Sequence, residues 1–184
     1  MVAEKLRTFI AIDFPEEVIK EVARVQNILK NTKFTGKLTE LENLHLTLKF
    51  LGEIDSEKLE IIRKELKNLE FSSLDLNLGS IGLFSINKSP RIVWIKIQGK
   101  SIHNLQKSID EILSNHDFKK EARFMSHLTI ARIKNVKNKA EFTNYIKNTT
   151  IKNINFKVSS FKLKISKLNP LGPIYNDLEI YSGK

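Results

Sequence analysis

Apolar positions in this chain recur at two periods, and the period switches back and forth along its length. "LRTFIAI" (Leu6 to Ile12) is dense in apolar and β-branched residues and predicts a strand, after which Pro15 opens a helix. Val18, Val22, Val25 and Leu29 come next at spacings of four, three and four, one stripe of an amphipathic helix. "NTKFTGK" reads as a loop. In "NLHLTLKFLG" the period drops to two, so Leu44, Leu46 and Leu48 face a core while His45 and Thr47 share the other face of a strand. Gly52 and Asp55-Ser56 end that strand and cap a second helix, with Leu59, Ile62, Leu66 and Leu69 on its buried side. Leu74, Leu76 and Leu78 alternate as a strand, and "INKSP" then reads as an internal boundary.

After Pro90 the order begins again. "RIVWIKI" (Arg91 to Ile97) predicts a strand, and Ser101 caps a helix with Ile102, Leu105, Ile109 and Ile112 inward. "FMSHLTIARI" repeats the earlier frame with His127 and Thr129 on one strand face. "KAEFTNYIKN" is a short helix, "INFKVSSFKLKIS" a long, bulged strand, "NPLGP" a turn and "IYNDLEIY" a last strand. Arg7 and Arg91 are 84 residues apart and the two frame histidines 82 apart, which indicates an internal duplication. Residues 1–184 then form one domain of two pseudo-symmetric lobes, near 1–88 and 89–184, with strands free to exchange between them. A pseudo-twofold axis brings His45 and His127 face to face across a cleft.

Composition narrows the partner. Hydrophobic residues make up 41% and charged residues 28% of the 184, ordinary for a globular protein, and no apolar run is long enough to span a bilayer. The start, "MVAEKLRTFIAIDF", is unlike a signal peptide, and a cytoplasmic protein is expected. With no cysteine there is no disulfide, thiolate nucleophile or thiolate metal site. The net charge of +10 is lopsided: residues 1–90 hold 13 Lys and Arg against 14 Asp and Glu, residues 91–184 hold 18 against 7. That asymmetry points to a polyanion, nucleic acid rather than membrane.

Two imidazoles on one substrate divide proton transfer, the neutral one accepting and the charged one donating. Phosphoester cleavage uses this division: a base deprotonates water, an acid protonates the leaving oxygen, and donors such as the Thr47 and Thr129 hydroxyls hold the phosphoryl oxygens. Two histidines on separate strands without grouped carboxylates do not make a zinc site, so no metal and no cofactor is expected. Phe9 and Trp94, on the first strand of each lobe, are candidates for base stacking, worth about 1–3 kcal/mol per base, with core packing the competing reading. Lys49 has the parity of His45 but belongs to no motif, and a solvated lysine at the strand end is the plainer reading. His103 and His116 lack the frame and read as surface residues.

These residues resemble the 2H phosphoesterase superfamily, named for two H-x-[ST]-x motifs, and within it the RNA 2',3'-cyclic phosphodiesterase family, also called 2'-5' RNA ligase. The similarity runs nearly end to end, through "RTFIAIDFP", "NLHLTLKFLGEI", "PRIVWIKI", "SHLTIARIK" and "LNPLGPIY". It implies a bilobal α+β fold, two antiparallel sheets facing a central cleft with helices on the outer faces. It implies metal-independent opening of an RNA 2',3'-cyclic phosphate end to a 2'-phosphomonoester, weak reversible 2'-5' ligation, and a site of His45, Thr47, His127, Thr129 and Arg132. Arg132 stands five residues after His127, the wrong parity for a regular strand, so a bulge near Ala131 is required if it is to reach phosphate. The resemblance also assigns His45 as acid and His127 as base. The charge distribution agrees, since His127 lies in the basic half near Arg123 and Arg132 and His45 in the neutral half. A 2'-5' oligonucleotide phosphodiesterase and a non-catalytic RNA-binding protein are the alternatives, and a monomer is expected.

Overall fold

The computed structural model describes residues 5–170 and 172–184. Residues 1–4, which the signal-peptide reading used, and Leu171 of "NPLGP" lie outside the described residues. In chain order the elements are β1 (Leu6–Asp13), α1 (Glu16–Lys30), β2 (Phe34–Leu38), β3 (His45–Ile54), α2 (Ser56–Lys67), β4 (Leu74–Ile86), β5 (Ser89–Gln98), α3 (Lys100–Ser114), β6 (His127–Val136), α4 (Lys139–Asn148), β7 (Asn155–Val158), β8 (Ser160–Asn169) and β9 (Gly172–Ser182). The strands form two antiparallel sheets, ordered β3-β1-β8-β9 and β2-β6-β5-β4-β7. This is the α+β arrangement that the resemblance implies, with the two lobes that the repeated strand-helix order implies. Among the described residues no helix is long and apolar enough to cross a membrane.

The halves exchange strands. β8 and β9 from the end of the chain extend the sheet begun by β1 and β3, while β2 and β4 from the first half complete the sheet of β5 and β6. "INKSP" is therefore a hairpin within one sheet and not a boundary: Asn87 and Lys88, both at positive φ, make the two-residue turn between Ile86 and Ser89. "NTKFTGK" is not all loop, because β2 adds itself to the edge of β6. The long strand expected over "INFKVSSFKLKIS" divides at Ser159, where β7 leaves one sheet and β8 enters the other.

Helix stripes behave as their periodicity dictates, with one shift. On α3, Ile102, Leu105 and Ile109 are buried, but Leu113, four residues on, continues the stripe in place of Ile112. The helix also starts earlier than Ser101. Gly99 precedes it at φ 148, where a Cβ would lie 2.8 Å from the Asp75 carbonyl oxygen. Asp55 caps α2 by accepting from the Lys58 backbone N–H at 2.8 Å, while β3 runs through Gly52 to Ile54. Helix and sheet faces close on one cluster that includes Ile10 and Leu46 of the first sheet and Ile95 and Leu128 of the second. A core shared in this way fixes the two sheets relative to each other, and their other faces meet at the cleft.

Candidate active site

β3 and β6 have the same burial pattern over their ten residues, so the duplication extends to which side each residue faces. Leu44, Leu46, Leu128 and Ile130 lie in the core, and His45, Thr47, His127 and Thr129 line a cavity of about 610 Å³ between the sheets. Each imidazole is held alike. Nδ1 of His45 is 2.8 Å from the Asn43 carbonyl oxygen, and Nδ1 of His127 is 2.7 Å from that of Met125. A carbonyl only accepts, so Nδ1 carries the proton in both rings and Nε2 is the atom left for chemistry. Among the described residues, neither Thr47 nor Thr129 spends its hydroxyl on a hydrogen bond, and the Arg132 guanidinium has no ion-pair partner.

The parity difficulty at Arg132 resolves through a pair of bulges. On β6, Thr129 opposes Trp94 and Ala131 opposes Val93, leaving Ile130 as the extra residue. On β3, Thr47 opposes Ala11 and Lys49 opposes Ile10, leaving Leu48 extra. Each bulge reverses the facing of the residues beyond it. Arg132 consequently lines the cavity with His127, and Phe50, in the equivalent place after His45, lines the other wall. Lys49 is turned the opposite way. It is neither solvated nor in the cleft but 4% exposed, with Nζ 2.7 Å from Asp110 Oδ1 on α3.

The aromatic candidates separate. Phe9 lines the cavity but is buried beneath other rings, its centroid 5.0 Å from His45 and 5.1 Å from Tyr175. Trp94 packs across Gly82 and against Phe84 at 5.4 Å, and it is not among the residues lining the cavity. Phe84 in turn meets the His127 ring edge-on at 5.1 Å. Periodicity missed Phe50 and Tyr175, because only the bulge and the position of β9 bring them to the site. Strict alternation puts Phe50 on the core face with Leu46 and Leu48, so the sequence pattern carried no signal for it.

Electrostatics at His45 correct the argument from half-chain charge. Burial pushes the His45 imidazole below its ordinary value, Lys164 and Arg132 act in the same direction, and the Asn43 carbonyl and Asp13 carboxylate oppose them. Lys164 belongs to β8, which strand exchange carries in beside β1. Charge counted along the sequence therefore does not describe the field at His45. Lys164 Nζ is 3.0 Å from Asp13 Oδ1 and 2.6 Å from Asp177 Oδ1, and Lys162 bridges the same two carboxylates at 2.7 and 2.5 Å. Burial also raises the Tyr175 phenol, keeping it a hydrogen-bond donor. Among the described residues no three His, Asp or Glu side chains converge in a way that would hold a metal ion.

Comparison with known proteins bears on the family and the fold. The family model described as LigT like Phosphoesterase matches residues 12–94 and 96–175, one stretch in each half. An RNA 2',3'-cyclic phosphodiesterase of Methanocaldococcus jannaschii is 41% identical over 173 residues, 92% of this chain and 96% of its own length. One of Thermotoga maritima is 35% identical, covering 94% of this chain and 93% of its own. A crystal structure of a Thermus thermophilus protein superposes with a TM-score of 0.78 at 25% identity, over 97% of this chain and 100% of its own. Escherichia coli LigT complexed with 3'-AMP superposes at 0.79 and 22% identity, over 98% and 99%, a likeness of fold. With both halves matched and the relatives covered nearly end to end, the chain belongs to the LigT-like phosphoesterase family.

Proposed function

We propose that this chain hydrolyses RNA 2',3'-cyclic phosphate ends to 2'-phosphomonoesters by paired-histidine acid–base catalysis. The observation that carries the reading is one cavity lined by two imidazoles with matching Nδ1 contacts and, among the described residues, two threonine hydroxyls without a hydrogen bond and an arginine without an ion-pair partner. Relatives named as RNA 2',3'-cyclic phosphodiesterases supply the substrate class. Nε2 of one histidine takes a proton from water as the oxygen attacks phosphorus. The P–O3' bond breaks, and the other histidine gives its Nε2 proton to the ribose 3'-oxygen. Thr47, Thr129 and Arg132 donate to the non-bridging oxygens, where charge accumulates. With a 5'-hydroxyl in place of water, the same steps in the same direction form a 2'-5' linkage, and their reversal, attack by the 3'-hydroxyl, cleaves it. By analogy with the resemblance stated above, His45 is taken as the acid and His127 as the base. The surroundings of His45 in the cleft favour the neutral imidazole, and the negative charge of the bound substrate acts in the opposite direction, favouring the imidazolium that the role needs.

The test is turnover of an RNA carrying a 2',3'-cyclic phosphate in EDTA. Wild type cleaves it, and His45→Ala and His127→Ala each lower kcat by roughly 10²–10⁴. Loss of wild-type activity in EDTA with recovery on adding a divalent ion refutes the mechanism. Cleavage of internal 2'-5' oligomers in place of the cyclic end, or RNA binding without turnover, selects one of the alternative functions.

A further inference from the structure

Each strand that carries a site histidine is tied to a helix from the other half of the chain, and the two helices are built alike. Buried positions of α1 recur on α3 84 residues later: Val18 as Ile102, Val25 as Ile109 and Leu29 as Leu113. In the same series Gln26 recurs as Asp110. An amide or a carboxylate on an aliphatic helix face is costly to bury unless it is paired. What each of these two is paired with is the bulge that shapes the cavity wall.

Gln26 is 6% exposed and is not among the residues lining the cavity. Its Nε2 donates to the Ile130 carbonyl at 2.9 Å and to the Thr39 carbonyl at 2.7 Å. Ile130 is the extra residue of the β6 bulge, and its carbonyl also accepts from the Thr39 backbone N–H at 3.0 Å. One amide therefore fastens α1, the chain leaving β2 and the bulge to each other. On the other side the tie runs through a side chain. Lys49, next after the extra Leu48, reaches Asp110 Oδ1 at 2.7 Å. The equivalent residue after the β6 bulge is Ala131, which has nothing to extend, and Gln26 goes to the backbone instead.

Without the extra residue, Arg132 has the parity of Leu128 and Ile130, both in the core. A regular strand there would bury a guanidinium and break both bonds of the Gln26 amide. Resting on the phosphodiesterase reading above, we propose that Gln26 is a positioning residue for phosphate binding. From outside the cavity it holds the β6 bulge in the form that aims Arg132 at the substrate phosphate. Asp110, through Lys49, holds the β3 bulge in the same way, so each half keeps the other half's strand in its irregular register.

The experiment is a double-mutant cycle on kcat/KM for cytidine 2',3'-cyclic phosphate, built from Gln26→Met, Arg132→Ala and the pair. Methionine keeps the length of the side chain but has no N–H to donate. Alone, Gln26→Met lowers kcat/KM roughly 10- to 100-fold, the scale of a misplacement of about 1 Å. In the Arg132→Ala background it lowers kcat/KM about threefold or less, because the group being aimed is gone. Val25→Ala removes a buried aliphatic contact from the same helix; it lowers Tm and leaves kcat/KM within about twofold. Thermal unfolding confirms that each variant folds. Gln26→Asn, which withdraws the amide by one methylene, repeats the loss and replaces Gln26→Met if that chain does not fold. Equal factors with and without Arg132, a folded Gln26 variant with wild-type kcat/KM, or an equal fall in Val25→Ala overturns the proposal. A wild-type chain that does not open the compound refutes the phosphodiesterase reading instead. The crystal structure of the Gln26 variant then decides the positioning role: a lost bulge or an Arg132 turned from the cavity upholds it, and both unchanged overturn it.

Discussion

The bulge that releases Phe50 also drives Lys49 into the protein, and the ion pair formed there gives a stability prediction of known sign. Lys49 and Asp110 expose only 3% and 6% of their side chains. Asp110 Oδ2 accepts from Gln106 Nε2 and from the Glu121 backbone N–H, both at 2.8 Å. Its other oxygen has the Lys49 ammonium at 2.7 Å as an ion-pair partner but no well-directed hydrogen bond. Lys49 also donates to the Lys119 carbonyl, tying β3 to the segment after α3. Burial alone would raise the Asp110 carboxyl; Lys49, the Glu121 N–H and Gln106 together hold it below its ordinary value. Lys49→Met keeps the volume and removes the charge, leaving a buried carboxylate without its cation. Such a break costs about 3–5 kcal/mol, or roughly 6–20 °C in Tm for a domain of this size. With the lysine gone, burial raises the folded-state carboxyl above its unfolded value. The penalty is then present at neutral pH and is relieved as pH falls through that raised value and the group protonates. In the wild type the sign is opposite: the depressed carboxyl stabilises above its unfolded value and that contribution fades in acid. Urea unfolding of both proteins at pH 7 and pH 4.5 is the assay. A difference below about 1 kcal/mol at pH 7, or one that does not shrink at pH 4.5, refutes the reasoning.

Two further predictions concern His45. If it is the acid, it must be protonated to act, so kcat/KM falls as pH rises through its free-enzyme value, which burial, Lys164 and Arg132 set below that of an ordinary imidazole. The corresponding alkaline limb of kcat lies higher because the bound anion favours the imidazolium; coincident limbs in the two profiles count against the coupling. On a nitrophenyl phosphodiester, whose leaving group needs no proton, His45→Ala loses much less activity than it does on RNA while His127→Ala stays impaired; the reverse pattern exchanges the roles, and equal losses on both substrates defeat the acid–base account.

Periodicity revealed a great deal here because most of the chain obeys it. The two His-apolar-Thr frames are visible because a regular strand presents alternate residues to one face, and β3 and β6 are regular from the histidine to the threonine. Beyond that point each strand gains one residue, and alternation then misassigns the positions that follow, with Lys49 in the core and Phe50 in the cavity, until a second irregularity at Leu51 restores it and Ile54 is again buried. Arg132 was recoverable only by allowing such a bulge. β2 escaped notice because its five residues, "FTGKL", alternate weakly, and what makes them a strand is the edge of β6 beside them. The division at Ser159 was illegible for a similar reason, since β7 and β8 have strand sequences and differ only in which sheet receives them. Trp94 reads as a candidate for the site until Gly82 is seen to lie under its ring.

The exchange of strands between halves has a consequence for how the protein is made. β1 forms one edge with β3, which lies close by in sequence, but its other edge is closed by β8, with Ile10 opposite Leu163. Roughly 150 residues separate those partners, and a ribosome adding about 5–20 residues per second needs about 8–30 s to supply them. Throughout that interval the nascent first sheet carries an open apolar edge, the kind of surface that pairs with other chains. Holding factors acting on partly synthesised chains, or a slow approach to the native state when β8 and β9 finally arrive, should therefore influence the yield of this protein more than its modest length suggests.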